Sequence, residues 1–182
     1  QEIKEIINLQ AGRHTPYARE EIIVDHINIG TYKNSYTKIL LVIVARAAVK
    51  RHYEILAKIG LKPEKVFFAP EALGLASSKM LKVESDNSPL SLVHVDETVT
   101  DFTVIFKRKP LFIRSIPIWI QSFALDKDKN QLRFADELKK SIESYQSEGI
   151  ADVPSRFILT GAIEKLSGLS EVLNNSRVPL KI

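Results

Sequence analysis

Three carboxylates, Asp96, Glu97 and Asp101, stand close together where two apolar runs meet. Carboxylates grouped in this way could share a proton as general acid and base, or hold a magnesium ion. A plain polar turn between strands needs the same residues. A second set, Asp126, Asp128, Asn130 and Glu137, falls at positions 1, 3, 5 and 12 of a calcium loop. It fails as one, because Gln131 stands where the sharp turn needs glycine. The histidines His14, His26, His52 and His94 lack the helical i, i+4 pairing around a glutamate that a zinc hydrolase uses. Each reads as a surface or packed side chain, and no metal site is expected. Cysteine is absent, which removes thiolate catalysis, disulfides and sulfur-built zinc sites and fits a reducing compartment. No glycine-rich phosphate loop and no Gly-x-Ser-x-Gly elbow occurs.

These residues sit in a chain of 182 residues, 45% hydrophobic and 26% charged, which suits one domain or two small lobes. Its net charge of +4 is scattered among acidic neighbours, as in Asp136-Glu137-Leu138-Lys139-Lys140. A nucleic-acid surface would gather the cations on one face with aromatics between them, so no nucleic-acid partner is expected. The longest apolar run, Ile39–Ala45, is far short of the roughly 20 residues of a membrane-crossing helix. Gln1–Gln10 has no charged start followed by an apolar stretch, so it does not read as a targeting signal. Opening on Gln1 rather than methionine, the chain reads as a fragment or a processed product.

The spacing of Ile3, Ile6, Ile7 and Gln10 predicts the tail of an amphipathic helix. Ile22–Ile29 reads as a strand, Gly30–Ser35 as a turn, and Thr37–Val44 as a central strand covered on both faces. Ala47–Ile59 carries the apolar stripe Val49, Tyr53, Leu56 and Ile59 of a helix that Gly60 closes. A short strand, Lys65–Ala69, and a helix opened by Pro70 follow, and Val83–Pro89 reads as a linker. Beyond it, strands are expected at Leu90–Val95, Thr98–Phe106 and Leu111–Trp119, with a hairpin connection at Lys107–Pro110. Asp126–Asn130 reads as a charged loop and Arg133–Gln146 as a helix with Phe134, Leu138, Ile142 and Tyr145 on one side. Arg156–Thr160 reads as a strand ended by Gly161, Ser167–Asn174 as a helix and Val178–Ile182 as a closing strand. Alternating strands and helices make this an α/β chain.

The run Asp101-Phe-Thr-Val-Ile-Phe-Lys-Arg-Lys-Pro-Leu-Phe-Ile-Arg-Ser-Ile-Pro-Ile118 resembles the second lobe of PilM-type proteins, actin-like components of type IV pilus assembly related in fold to FtsA. Its most specific stretch is Pro110–Ile118. Leu40–Ala69 resembles the family's small inserted subdomain, and Ile3–Asp25, with Pro16-Tyr17 and Glu20-Glu21, the end of its first large subdomain. Arg156-Phe-Ile-Leu-Thr-Gly161, followed by Leu166-Ser-Gly-Leu169, resembles its adenosine-contacting turn. The resemblance implies an α/β fold of incomplete actin-like (ribonuclease-H-like) lobes with a small inserted αβ subdomain. Residues 1–88 would hold the end of the first lobe plus that subdomain. Residues 89–182 would hold a second lobe lacking most of its own insertion.

The family binds ATP between its lobes, and the resemblance places a degenerate version of that site here. The first phosphate hairpin would precede Gln1. In the second, His94 stands where the family has its metal-linked aspartate and Asp96 where it has glycine, followed by Glu97, Thr98, Thr100 and Asp101. A register that instead puts Asp96 on the aspartate puts Thr98 on the glycine. A glycine serves there because backbone must approach an anion closely. The adenosine turn Gly-Gly-Gly becomes Gly161-Ala162-Ile163, a β-branched side chain where the base would lie. The expectation is therefore a pseudo-ATPase without catalytic residues or cofactor. It would be a cytoplasmic scaffold reaching the inner membrane through the tail of a PilN-like partner, with contact residues unmarked; the actin-like secretion protein GspL is a close variant. Two alternatives stand. One is a PilM-like ATP-binding or ATP-hydrolysing protein with magnesium, in which Asp101 holds the metal or orients water and Thr100 donates to phosphate. The other is an unrelated α/β module.

Overall fold

The computed structural model describes residues 2–32, 36–80, 88–150, 152–154, 156–162 and 168–175. The chain divides into two compact units, Gln1–Phe68 and Ala69–Ile182. The division falls ahead of the second unit's first helix rather than within Val83–Pro89, of which residues 83–87 lie outside the described residues.

The first unit is a long β-ribbon with two helices. Helix α1 (Glu2–Ala11) buries Ile7 and Ala11, one turn apart on a single face. A 3₁₀ turn, Arg19–Glu21, leads into β1 (Ile22–Tyr32), which pairs antiparallel with β2 (Tyr36–Ala45). Helix α2 (Arg46–Lys58) follows directly, and Arg46 ties its start to the ribbon by donating to the carbonyls of Glu20 (3.0 Å) and Ile22 (3.0 Å). Gly60, at φ +77°, closes the helix as its spacing predicts. The first unit departs from the sequence expectation in three places. Gly30–Tyr32 belongs to β1, with a bulge between Asn28 and Gly30 rather than a turn. Thr37–Val44 is not a central strand: among the described residues β2 pairs with β1 alone, and Lys38–Ala45 is only half-buried. Lys65–Phe68 forms no strand: Val66 and Phe67 stay exposed, and among the described residues no strand pairs with them.

The second unit is a four-stranded mixed sheet in the order β5-β4-β3-β6, formed by β3 (Leu90–Val95), β4 (Thr100–Phe106), β5 (Lys109–Ile116) and β6 (Arg156–Gly161). Neighbours are antiparallel except β3 and β6, which run parallel. Period-two alternation assigns the faces. One carries Leu90, Leu92, Ile105 and Ile158 against Leu73 of α3 (Ala69–Met80). The other carries a chain of rings, Phe157, Phe102, Phe112 and Tyr145, with centroids 5.9–6.2 Å apart. The last of these belongs to α5 (Lys127–Ser147), which also buries Phe134, Leu138 and Ile142 as the sequence predicts. A short helix, α4 (Ile120–Leu125), precedes it, and α6 (Leu169–Asn175) buries Leu169 and Leu173.

The charged stretch Asp126–Asn130 is a helix start, not a loop: Lys127–Asn130 are the first turn of α5 and Asp126 is its extended cap. Asp126 caps α5 by accepting from the Lys129 amide (3.2 Å), so acids and lysines here serve a helix start. Asn130 is buried and donates to the carbonyls of Ser122 (2.7 Å) and Asp126 (2.9 Å). The β4–β5 connection is shorter than Lys107–Pro110. It is a two-residue turn at Lys107 and Arg108, with Lys109 and Pro110 already in β5.

Tyr145 is fully buried and donates to the Asp152 carbonyl at 3.1 Å. Burial, with the Asp152 charge behind it, pushes its hydroxyl up to about 12 from 10.0. A raised folded-state value contributes stability that is intact below pH 10 and is lost as pH climbs through about 12. The protein is expected to lose roughly 3 kcal/mol across that window. In Tyr145→Phe, alkaline denaturation curves should lose this contribution, at a cost of about 1 kcal/mol at neutral pH.

Candidate functional site

Asp96, Glu97 and Thr98 form the exposed turn between β3 and β4. The Asp96 amide donates to the Val99 carbonyl (3.0 Å), and the Glu97 amide donates to Asp96's own Oδ1 (2.7 Å). From outside, the Ile120 amide donates to the Asp96 carbonyl (3.1 Å). Asp96 thus folds the turn around its own carboxylate, a local bond for which aspartate is suited. Thr100 begins β4 fully buried, its hydroxyl donated to the Ile118 carbonyl at 2.6 Å. That bond holds the chain where Pro117 ends β5.

Beyond the turn, the registers align Ser115, Asp101, His94 and Thr160 in one row across all four strands and on one face. Ser115 donates to Asp101 Oδ1 (2.7 Å), and His94 Nδ1 lies 2.9 Å from the Thr160 hydroxyl. The sequence predicts Asp101 and His94 as site residues and brings them together here. Nothing in the residue types marks Ser115 and Thr160, which only the strand register reveals. Among the described residues no three His, Asp or Glu side chains gather as metal ligands. Asp126 and Glu137 of the calcium-like set sit apart in role, one capping α5 and the other facing β5.

Gly161 ends β6 at φ +94°, where Ala162 donates its amide to the Val95 carbonyl (3.1 Å). A Cβ on Gly161 would collide with that carbonyl. Glycine is required there by the approach of two parallel strands. Ile163 lies outside the described residues.

The stretch Pro110–Ile118 carries a clamp. Arg114 donates to Glu137 Oε2 (2.7 Å), to the Glu137 carbonyl (3.1 Å) and to Ser141 Oγ (2.8 Å), joining β5 to α5. The Lys140 ammonium, 2.7 Å from Glu137 Oε1, and then Arg114 hold the Glu137 carboxyl below the usual carboxylate range against the opposing pull of partial burial.

In the first unit the two long edges of the ribbon differ. β1 is blunted by Asp25, His26 and the bulge at Asn28/Gly30. From Ile39 to Ala45, β2 has no charge, no proline and no bulge. Among the described residues nothing pairs with its outer edge. Such an edge is a template for another strand.

A chain of a solved structure described as a PilM-PilN type IV pilus biogenesis complex matches the protein with a TM-score of 0.78 at 18% identity, over 98% of this chain. The fold is PilM-like and actin-like. The match covers 61% of the solved chain, so this chain spans about three-fifths of that length. No family model matches the sequence, and no curated protein matches it. Among the described residues no helix is long and apolar enough to cross a membrane.

Proposed function

We propose that this chain is a non-catalytic, actin-like scaffold of type IV pilus or related secretion assembly, and that it binds the cytoplasmic tail of a PilN-like inner-membrane partner. The observation that carries this reading is the likeness of nearly the whole chain to a protein solved within a PilM-PilN complex. Residues 1–88 then correspond to the end of a first lobe with its inserted subdomain, and 89–182 to a second lobe without most of its insertion. The uncovered edge of β2 supports a docking role, because an extended tail can add a strand there, with apolar side chains on both faces for specificity. Localisation is then cytoplasmic and peripheral, through the partner.

The residues of the 96–99 turn do not fit a triphosphate, which supports the pseudo-ATPase part of the reading. A phosphate cradle needs free backbone N–H groups aimed at the anion. Here the amides of Asp96 and Glu97 are already used, and the Thr100 hydroxyl is buried and donated elsewhere. The carboxylates of Asp96 and Glu97 would repel a phosphate by roughly 1–3 kcal/mol per charge pair at close range.

Calorimetric titration of the full chain separates this reading from its rival. The N-terminal peptide of a PilN-type protein should bind at micromolar strength, and magnesium ATP should give no heat in that range. Micromolar binding of magnesium ATP, with Asp101 as its carboxylate, would replace the scaffold reading with the nucleotide-binding one.

A further inference from the structure

The tip of the β4–β5 hairpin is built against its own backbone preference. Lys107 and Arg108 have φ of +48° and +65°, and among the described residues they are the non-glycine positions with positive φ. A two-residue hairpin turn of this hand favours Asn-Gly, because other side chains crowd the backbone in the left-handed region. Two long cations are therefore held where local stability disfavours them. Both side chains are exposed, and neither is paired with a carboxylate among the described residues. Lys107 lies over the Phe106 ring, 5.2 Å from its centroid, and Lys109 continues the basic run. The turn is braced from below: Pro110 is buried, and Gly74 of α3 lies close against Ile105 and the Arg108 carbonyl. It sits at the opposite end of β4 from the carboxylates of the 96–99 turn, seven residues or roughly 20 Å away. That is more than twice the Debye length of about 8 Å, so those acids do not neutralise it.

We infer that this tip is a contact for a flat anionic surface, the headgroups of an acidic lipid bilayer. A two-residue turn is far too small for a stable protein interface, which needs roughly 800 Å² from each partner. Duplex DNA fits no better, because a ribbon must enter a groove, whereas β4 and β5 are covered by α3 on one face and α5 on the other. A plane of anionic headgroups asks only that the cations project together. The inference goes beyond the tail-binding reading and does not require it.

The test is co-sedimentation of the full chain with vesicles of phosphatidylcholine alone or with a third phosphatidylglycerol, at low salt. Wild type should favour the acidic vesicles. In Lys107→Asn/Arg108→Gly this binding should fall about 30-fold, near five-fold per cation, while the melting temperature rises by several degrees. The control Lys50→Gln/Arg51→Gln, with the same loss of charge in the other unit, should bind as wild type. Equal loss in the control, unchanged binding of the tip variant, or a tip-dependent preference for duplex DNA over acidic vesicles would each overturn the inference. The peptide titration above is unaffected by any of these results, so the two readings fail separately.

Discussion

Gly161→Ala is expected to lower the unfolding temperature by roughly 10 °C or more. Two costs combine. A side chain at φ +94° is strained whatever surrounds it, and the new methyl group would strike the Val95 carbonyl. Relief requires β6 to move away from β3, which breaks the Ala162–Val95 hydrogen bond and the register between Thr160 and His94. Together these amount to about 3–5 kcal/mol, a value that belongs to backbone collisions rather than surface changes. Thermal denaturation followed by circular dichroism measures it. A change of less than 1 °C would mean that Gly161 is not held against Val95. Conversely, Ala162→Gly should leave the fold intact, since its amide, not its side chain, makes the contact.

Arg114→Ala is the second large effect, expected at about 2 kcal/mol. The guanidinium satisfies three acceptors on α5, and its loss leaves Glu137 with Lys140 alone and Ser141 without its donor. Both charged groups keep some water contact, which holds the cost below that of a fully buried pair. Arg114→Lys should recover only part of it, because an ammonium cannot span all three acceptors as the planar fork does. The remaining Glu137 contribution has a defined pH sense. Its folded value is lowered, so the stability is present above the ordinary carboxylate range and is lost as pH falls through the lowered value. Urea denaturation of the wild type and Arg114→Ala at pH 7 and pH 3 should therefore show the gap narrowing on the acid side.

Where one physical rule governed a segment, the sequence was legible. The run Leu90–Val95 and the helical spacing of Phe134, Leu138, Ile142 and Tyr145 each had one reading: the strand lies where expected, and α5 contains the expected helix but begins earlier, at Lys127. Glycines 60 and 161 were legible as stops for the same reason. Misreadings arose where two rules compete. Asp126–Asn130 is polar enough for a loop, but Asp126 is also a helix cap, and the cap governs. Thr37–Val44 is apolar enough for a central strand, yet a half-buried strand that among the described residues pairs on one side only carries the same composition. At the 96–99 turn, residue types pointed to a carboxylate cluster but could not disclose that Asp96 bonds to the next amide. Thr100 has a residue type that suits a phosphate contact, while its hydroxyl serves the Ile118 carbonyl. The predicted residues Ile163 and Val178–Ile182 lie outside the described residues.

If the chain works by docking rather than by nucleotide chemistry, β2 is where a bound tail leaves its most direct trace. Backbone amide hydrogen exchange of the full chain, with and without a saturating PilN-type N-terminal peptide, should show protection at alternate residues from Ile39 to Val44. Every second amide of an edge strand points outward to an added strand, so an alternating pattern reports strand addition. Exchange along β2 that is unchanged by the peptide, with protection appearing instead at Asp96–Asp101 on adding magnesium ATP, would contradict the account.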